Sequence, residues 1–155
     1  MRSAPASSPA EIVPDEAEIA SRLRLSATRL ARRLRQEADS GFTPSQLSAL
    51  ATVHNHGPLT LGALADHERV APPSITKVVT KLEADGLVER RPDPTDGRVS
   101  HVSTTAAGRA LVEESRRRKT TWLAGRLHEL GPEAQARLVP ALDVLDAILA
   151  AEEQP

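Results

Sequence analysis

No cysteine occurs anywhere in the 155 residues. That excludes a disulfide framework, a thiolate zinc site and a cysteine-based redox switch, and it suits the cytoplasm. Aromatic residues are nearly as scarce, with Phe42 and Trp122 standing alone and no tyrosine. Single-stranded nucleic acid is gripped largely by bases stacking on aromatic rings, so that mode has little to work with. No apolar run approaches the roughly 20 residues of a membrane span, and the N-terminus lacks the hydrophobic stretch of a signal peptide. A soluble protein with no membrane partner is expected. A surplus of one charge is missing too: 20 Lys and Arg face 21 Asp and Glu, for a formal net charge of −1. Any affinity for nucleic acid must therefore come from local clustering. A Gly-rich phosphate loop and a Gly-x-Ser-x-Gly elbow are also absent. No catalytic residue and no cofactor are assigned, and an enzyme is not expected.

What is present is a series of helical patterns with clear punctuation. Residues 1–14 are rich in Ser, Ala and Pro without a period and read as a flexible tail. From Asp15 to Ser40-Gly41, Ile19, Leu23, Leu30 and Leu34 form one apolar stripe flanked by arginines, which calls for a partner helix. Thr43 and Pro44 open a second helix with Leu47, Leu50 and Val53 inward, stopped by Gly57-Pro58. Thr60 caps a short third helix carrying Leu61, Leu64 and Ala65. A fourth runs from about Ala71-Pro72-Pro73 to Asp85 and is closed by Gly86. Two strands follow, Leu87–Arg91 and Val99–Thr104, joined by Asp93-Pro94-Thr95-Asp96-Gly97-Arg98 with turn formers at its centre. Thr105 then caps a long helix to about Leu130, broken by Gly131-Pro132. A last helix to about Glu152 shows Leu138, Leu142, Leu145 and Leu149, with Pro140 expected to bend it. The predicted fold is mainly α with a small antiparallel β-wing. Residues 15–40 and 105–155 are expected to be dimerisation helices around a winged helix-turn-helix of 41–104.

The fourth helix separates into two faces. Ile75, Val78, Val79 and Leu82 fall at i, i+3, i+4 and i+7 and point inward. Ser74, Thr76, Lys77, Thr80 and Lys81 occupy the opposite face, where hydroxyls and flexible cations suit base edges and phosphates of double-stranded DNA. The prolines at its start suggest a helix N-terminus with N–H groups left for a phosphate. In the hairpin, Arg98 can enter a narrow minor groove, with Asp96 placed to hold it extended. Trp122, midway along the fifth helix, reads first as a core anchor and second as the lining of a cavity.

These residues resemble the MarR family of winged-helix transcription regulators. The resemblance is carried by Pro72-Pro73-Ser74-Ile75-Thr76-Lys77-Val78-Val79, by Leu82-Glu83-Ala84-Asp85-Gly86-Leu87-Val88, by Asp93-Pro94-x-Asp96-x-Arg98 and by Thr105-x-x-Gly108. It implies a homodimer on a pseudo-palindromic operator, acting as a repressor released by a small aromatic ligand. Trp122 and His54 are the candidate ligand-binding residues. Three departures from the family pattern stand out: Arg69 where a Gly is frequent, Thr104 where an apolar residue is usual, and no sensing cysteine. Two other readings remain open. His54-x-His56, with His67, Asp66 or Glu68, could belong to a metal-responsive regulator, although no His-x-x-x-His spacing exists and no metal residue is assigned. A dimeric interaction protein without DNA binding is the other.

Overall fold

The computed structural model describes residues 15–38, 40–96 and 99–150. The chain is mainly helical with one small sheet: α1 (Glu16–Glu37), α2 (Pro44–His56), β1 (Leu59–Thr60), α3 (Leu61–Glu68), α4 (Pro72–Ala84), β2 (Val88–Pro92), β3 (Ser100–Thr104) and α5 (Ala106–Ala150). It divides into two units, residues 1–33 and 34–155. Within the first, the Asp15 carboxylate caps α1 by accepting from the Glu18 N–H at 2.7 Å. No residue of α1 is buried, and Ile19 is 50% exposed. Of the apolar stripe read from the sequence, Ile19, Leu23 and Leu30 are exposed and Leu34 is half-buried.

The second unit is built on caps and an aliphatic core. Thr43 and Gln46 exchange hydrogen bonds in a capping box at the head of α2, and Thr60 accepts from the Ala63 N–H at 3.1 Å to start α3. Leu50 of α2, Leu64 of α3, Val79 and Leu82 of α4 and Val102 of β3 are fully enclosed. Leu47, expected inward, is only half-buried. Thr52 on α2 donates to Glu68 at 2.6 Å and ties α2 to the end of α3.

The sheet has three antiparallel strands in the order β1-β3-β2. Val88 pairs with Thr104 and Arg90 with Val102, so the hairpin register buries Val88 and Val102 together. Thr104 therefore does not disturb the strand end. β1 was not legible in the sequence. Its two residues are too short to show a period, and they are a strand only because Leu59 and Thr60 meet Val102 and His101.

One further expectation needs correction. Trp122 is half-buried and is not part of the core cluster. The buried residues of α5 are Gly108, Val112 and Ser115. Trp122 lies seven residues further on, about 10 Å along the axis at the helical rise, beyond that packed stretch. The long C-terminal helix leaves helical geometry at Gly131 (φ 80°, ψ 172°), where the sequence placed its break, and Pro140 lies inside the helical stretch that follows.

Arg69 ends α3 in the left-handed region, with φ 51° and ψ 45°. Its N–H still reaches the Ala65 and Asp66 carbonyls, so the cap is formed at the expense of backbone strain. A left-handed L-residue costs about 1–2 kcal/mol, whereas glycine loses about 0.5–1 kcal/mol more chain entropy on ordering. Arg69→Gly is therefore expected to raise stability by about 0.5–1 kcal/mol in urea unfolding. A loss of stability would show that the Arg69 side chain contributes more than its backbone strain costs.

Candidate nucleic-acid interface

α3 and α4 form the helix-turn-helix, joined through the left-handed Arg69. Ile75, Val79 and Leu82 bury the inner face of α4, which turns Ser74, Thr76, Lys77, Thr80 and Lys81 to solvent on the other side. Their hydrogen bonds differ. Thr76 gives its hydroxyl proton to the Pro72 carbonyl one turn back, at 2.9 Å. Lys81 pairs with Asp85 at 2.9 Å, but the lysine side chain is well exposed and such a pair is worth under about 1 kcal/mol. A phosphate can therefore replace Asp85 at little cost. Thr80 Oγ1 accepts from Arg90 Nη2 of the wing at 2.9 Å.

The expected phosphate-binding N-terminus of α4 does not hold. Pro72 and Pro73 carry no N–H, and the Ser74 N–H bonds back to the Ala71 carbonyl at 2.9 Å. The prolines that start the helix have removed the donors a phosphate would need.

At the wing, Asp93 rather than Asp96 organises the described part of the loop. Its Oδ1 accepts from the Thr95 N–H at 2.7 Å, from the Thr95 hydroxyl and from the Asp96 N–H at 3.1 Å. These bonds hold the Asp93 carboxyl below its ordinary value, the Thr95 hydroxyl contributing most. The Asp93 N–H donates to Val99 O and the Val99 N–H to Asp96 O, which closes the loop base. Asp96 is exposed. Arg98 and its expected pairing with Asp96 lie outside the described residues. The Asx-type organisation by Asp93 was available in the sequence as Asp-Pro-Thr-Asp, a pattern whose first Asp bonds the backbone two residues on.

The root of the wing is locked to α5. Thr105 accepts from the Gly108 N–H as the helix cap, and its hydroxyl donates to the Gly86 carbonyl at 2.7 Å. Its own N–H donates to Leu87 O at 3.0 Å. Gly108 sits so close that a Cβ there would stand 2.0 Å from Leu87 O. The Thr-x-x-Gly pattern is thus a close approach of helix to strand root.

The cleft that Trp122 borders does not have His54 in its lining. Trp122 borders a shallow one with Glu37, Arg117, Arg118 and Thr121, and the Arg126 guanidinium lies 5.7 Å from its ring centre. His54 is half-buried on α2, with Nδ1 enclosed and no hydrogen-bond partner among the described residues. A different cleft, of about 240 Å³, has Leu47, Ala51 and Val112 among its walls and Arg35, Arg116 and Lys119 beside them. Sequence reasoning missed it because its cations come from separate helices. His56 and His67 stack at 4.9 Å between ring centres. Among the described residues no three His, Asp or Glu side chains converge as a metal ion would require. No described helix is long and apolar enough to cross a membrane.

Residues 42–100 match the sequence model of the MarR family. An uncharacterized HTH-type transcriptional regulator of Mycobacterium bovis is 42% identical over 145 residues, covering 93% of this chain and 100% of the relative. A transcriptional regulator from Thermotoga maritima is similar in structure, with TM-score 0.75 and 27% identity over 88% of this chain and 97% of that one. A MepR variant from Staphylococcus aureus, solved bound to an oligodeoxyribonucleotide, shares the fold, with TM-score 0.66 and 19% identity over 84% of this chain and 97% of that one. With the family match spanning the helix-turn-helix and most of the wing, and the mycobacterial likeness running the full length of that relative, this chain belongs to the MarR family: it is a DNA-binding, HTH-type transcriptional regulator and not an enzyme.

Proposed function

We propose that the protein is a cytoplasmic homodimeric repressor that reads a pseudo-palindromic operator through α4 and is released by a small aromatic acid. The observation that carries the DNA reading is the exposed α4 face with Lys77 at its centre. Lys77 is exposed and, unlike Lys81, makes no ion pair with a described residue. Ser74, Thr76, Thr80 and Lys81 flank it, and Arg98 with Asp96 serves the minor groove. The MepR complex supports this reading by showing that the fold accommodates DNA. Dimerisation is supported by the uncovered stripes of α1 and of 132–150, which would set two recognition helices one helical turn of DNA apart.

The effector reading moves from Trp122 and His54 to the cleft of Arg35, Arg116 and Lys119. Cations beside an apolar wall suit a flat carboxylate, which needs charge pairing at one end and apolar contact along the ring. Ser115, itself buried, adds a hydroxyl to the lining. An acid bound there would contact both α2 and α5, and so could shift the spacing of the two reading heads.

The test begins with a duplex selected by the protein from a random-sequence library. Lys77→Ala is expected to weaken that duplex by about 1–3 kcal/mol and a random duplex far less. Arg98→Ala should weaken both and lower the salt slope by about one unit per subunit. Salicylate should release the selected duplex, and Lys119→Ala should raise the concentration required. If Lys77→Ala bound both duplexes like the parent protein, α4 would not be the reading helix.

A further inference from the structure

The two threonines on the exposed face of α4 are not equivalent. Thr76 bonds through its proton to its own helix, at the Pro72 carbonyl. Thr80 has no such bond. Its oxygen instead accepts from Arg90 Nη2 at 2.9 Å, an interaction that runs from β2 to the helix. The same guanidinium places Nε 3.1 Å from Glu83 Oε2, one turn further along α4. That contact is an ion pair rather than an aligned hydrogen bond, since Nε is enclosed without a hydrogen-bond acceptor in line. The Arg90 side chain is only 26% exposed, so it is held between wing and helix and does not reach freely into solvent.

We infer that Arg90 is a positioning residue for DNA recognition, which orients Thr80 of α4 so that its hydroxyl proton is offered to an acceptor on the DNA. A threonine hydroxyl has one proton and two lone pairs. Here Arg90 takes a lone pair, and no described carbonyl one turn back takes the proton. The hydroxyl is thereby biased towards donation. Its partner is a hydrogen-bond acceptor, either a base-edge oxygen or nitrogen of the major groove or a phosphate oxygen. Arg90 also links the wing strand to the reading helix through two residues, Thr80 and Glu83, so the two recognition elements are aligned as one. The inference rests on α4 being the helix that meets DNA.

The experiment uses the duplex selected by the full-length protein and a random duplex, each titrated across salt with Thr80→Val, Thr80→Ser, Arg90→Gln and the Arg90→Gln/Thr80→Val double variant. Thr80→Val keeps the shape of an exposed side chain and loses only the hydroxyl, so folding is not at issue. It is expected to weaken the selected duplex about tenfold, while Thr80→Ser retains binding. A loss confined to the selected duplex identifies a base edge as the acceptor, and an equal loss on both identifies phosphate. Arg90→Gln should lose a similar factor with an unchanged salt slope, and the double variant should be no weaker than either single one, because both act through one hydroxyl. Parental binding by Thr80→Val would overturn the inference. So would losses that multiply to about a hundredfold, or an Arg90→Gln salt slope lower by about one unit, which would make Arg90 a phosphate contact itself. Lys77→Ala separates the two levels: if it loses the selected duplex and Thr80→Val does not, only the role of Arg90 fails.

Discussion

Gly108→Ala is expected to destabilise the protein by about 3 kcal/mol, although alanine is the better helix former. Gly108 lies in the first turn of α5, where the exchange would gain at most about 1 kcal/mol in helix propensity. Against that gain stands the backbone of the wing root. The new methyl would sit 2.0 Å from Leu87 O and 3.3 Å from Leu50 Cδ1. A carbonyl cannot rotate away as a flexible side chain can, so α5 must move off the strand root. Doing so lengthens the Thr105 N–H to Leu87 O bond and the Thr105 hydroxyl bond to Gly86 O. Each is worth about 1 kcal/mol, and the displaced Leu50 belongs to the fully enclosed core. The melting midpoint should fall by roughly 10 °C for a chain of this size. Thr105→Ala should cost about 1 kcal/mol alone and add little in the Gly108→Ala background, because both variants loosen the same junction. A midpoint unchanged in Gly108→Ala would mean that helix and strand root are not in contact in solution.

Leu142→Asp should convert the proposed dimer into monomer or unfolded chain. Leu142 is 46% exposed in the single chain and Leu149 64%, on the stripe shared with Leu138 and Leu145. A water-facing helix does not carry leucine at such regular spacing, and a stable symmetric interface covers about 2,000 Å² in total. In a twofold assembly each substitution occurs twice. An unpaired carboxylate buried in an apolar seam costs at least about 3 kcal/mol per copy, so the dissociation constant should rise by about four decades. Sedimentation over a range of concentrations reads this directly, with Leu142→Met as the volume-conserving control. If Leu142→Asp sedimented as the parental species, this stripe would not be the dimer seam. Because a pseudo-palindromic site needs two reading heads, the aspartate variant should also lose the selected duplex.

The sequence by itself determined the elements whose chemistry is local. Thr43, Thr60 and Thr105 cap helices with a hydroxyl that reaches only three residues ahead, and Gly86 and Gly131 take positive φ that other residues resist. The two faces of α4 follow from a period of 3.6 residues, so the exposed set of Ser74, Thr76, Lys77, Thr80 and Lys81 was legible as well. Even the strain at Arg69 was signalled, by an arginine standing where glycine is the frequent choice. Tertiary structure alone decided what depends on residues far apart in the chain. β1 is a strand because β3 lies beside it, and Trp122 is not a core anchor because the packed stretch of α5 ends before it. The prolines of α4 start a helix and also remove the donors expected at its end. Gly108 needs to be glycine because Leu87 O stands in the way, and Thr80 is distinguished from Thr76 by Arg90, ten residues on. Patterns of period and cap are short-range physics and survive in one dimension. Close approach and the pairing of one side chain with another are set by where the backbone returns, which only the folded chain defines.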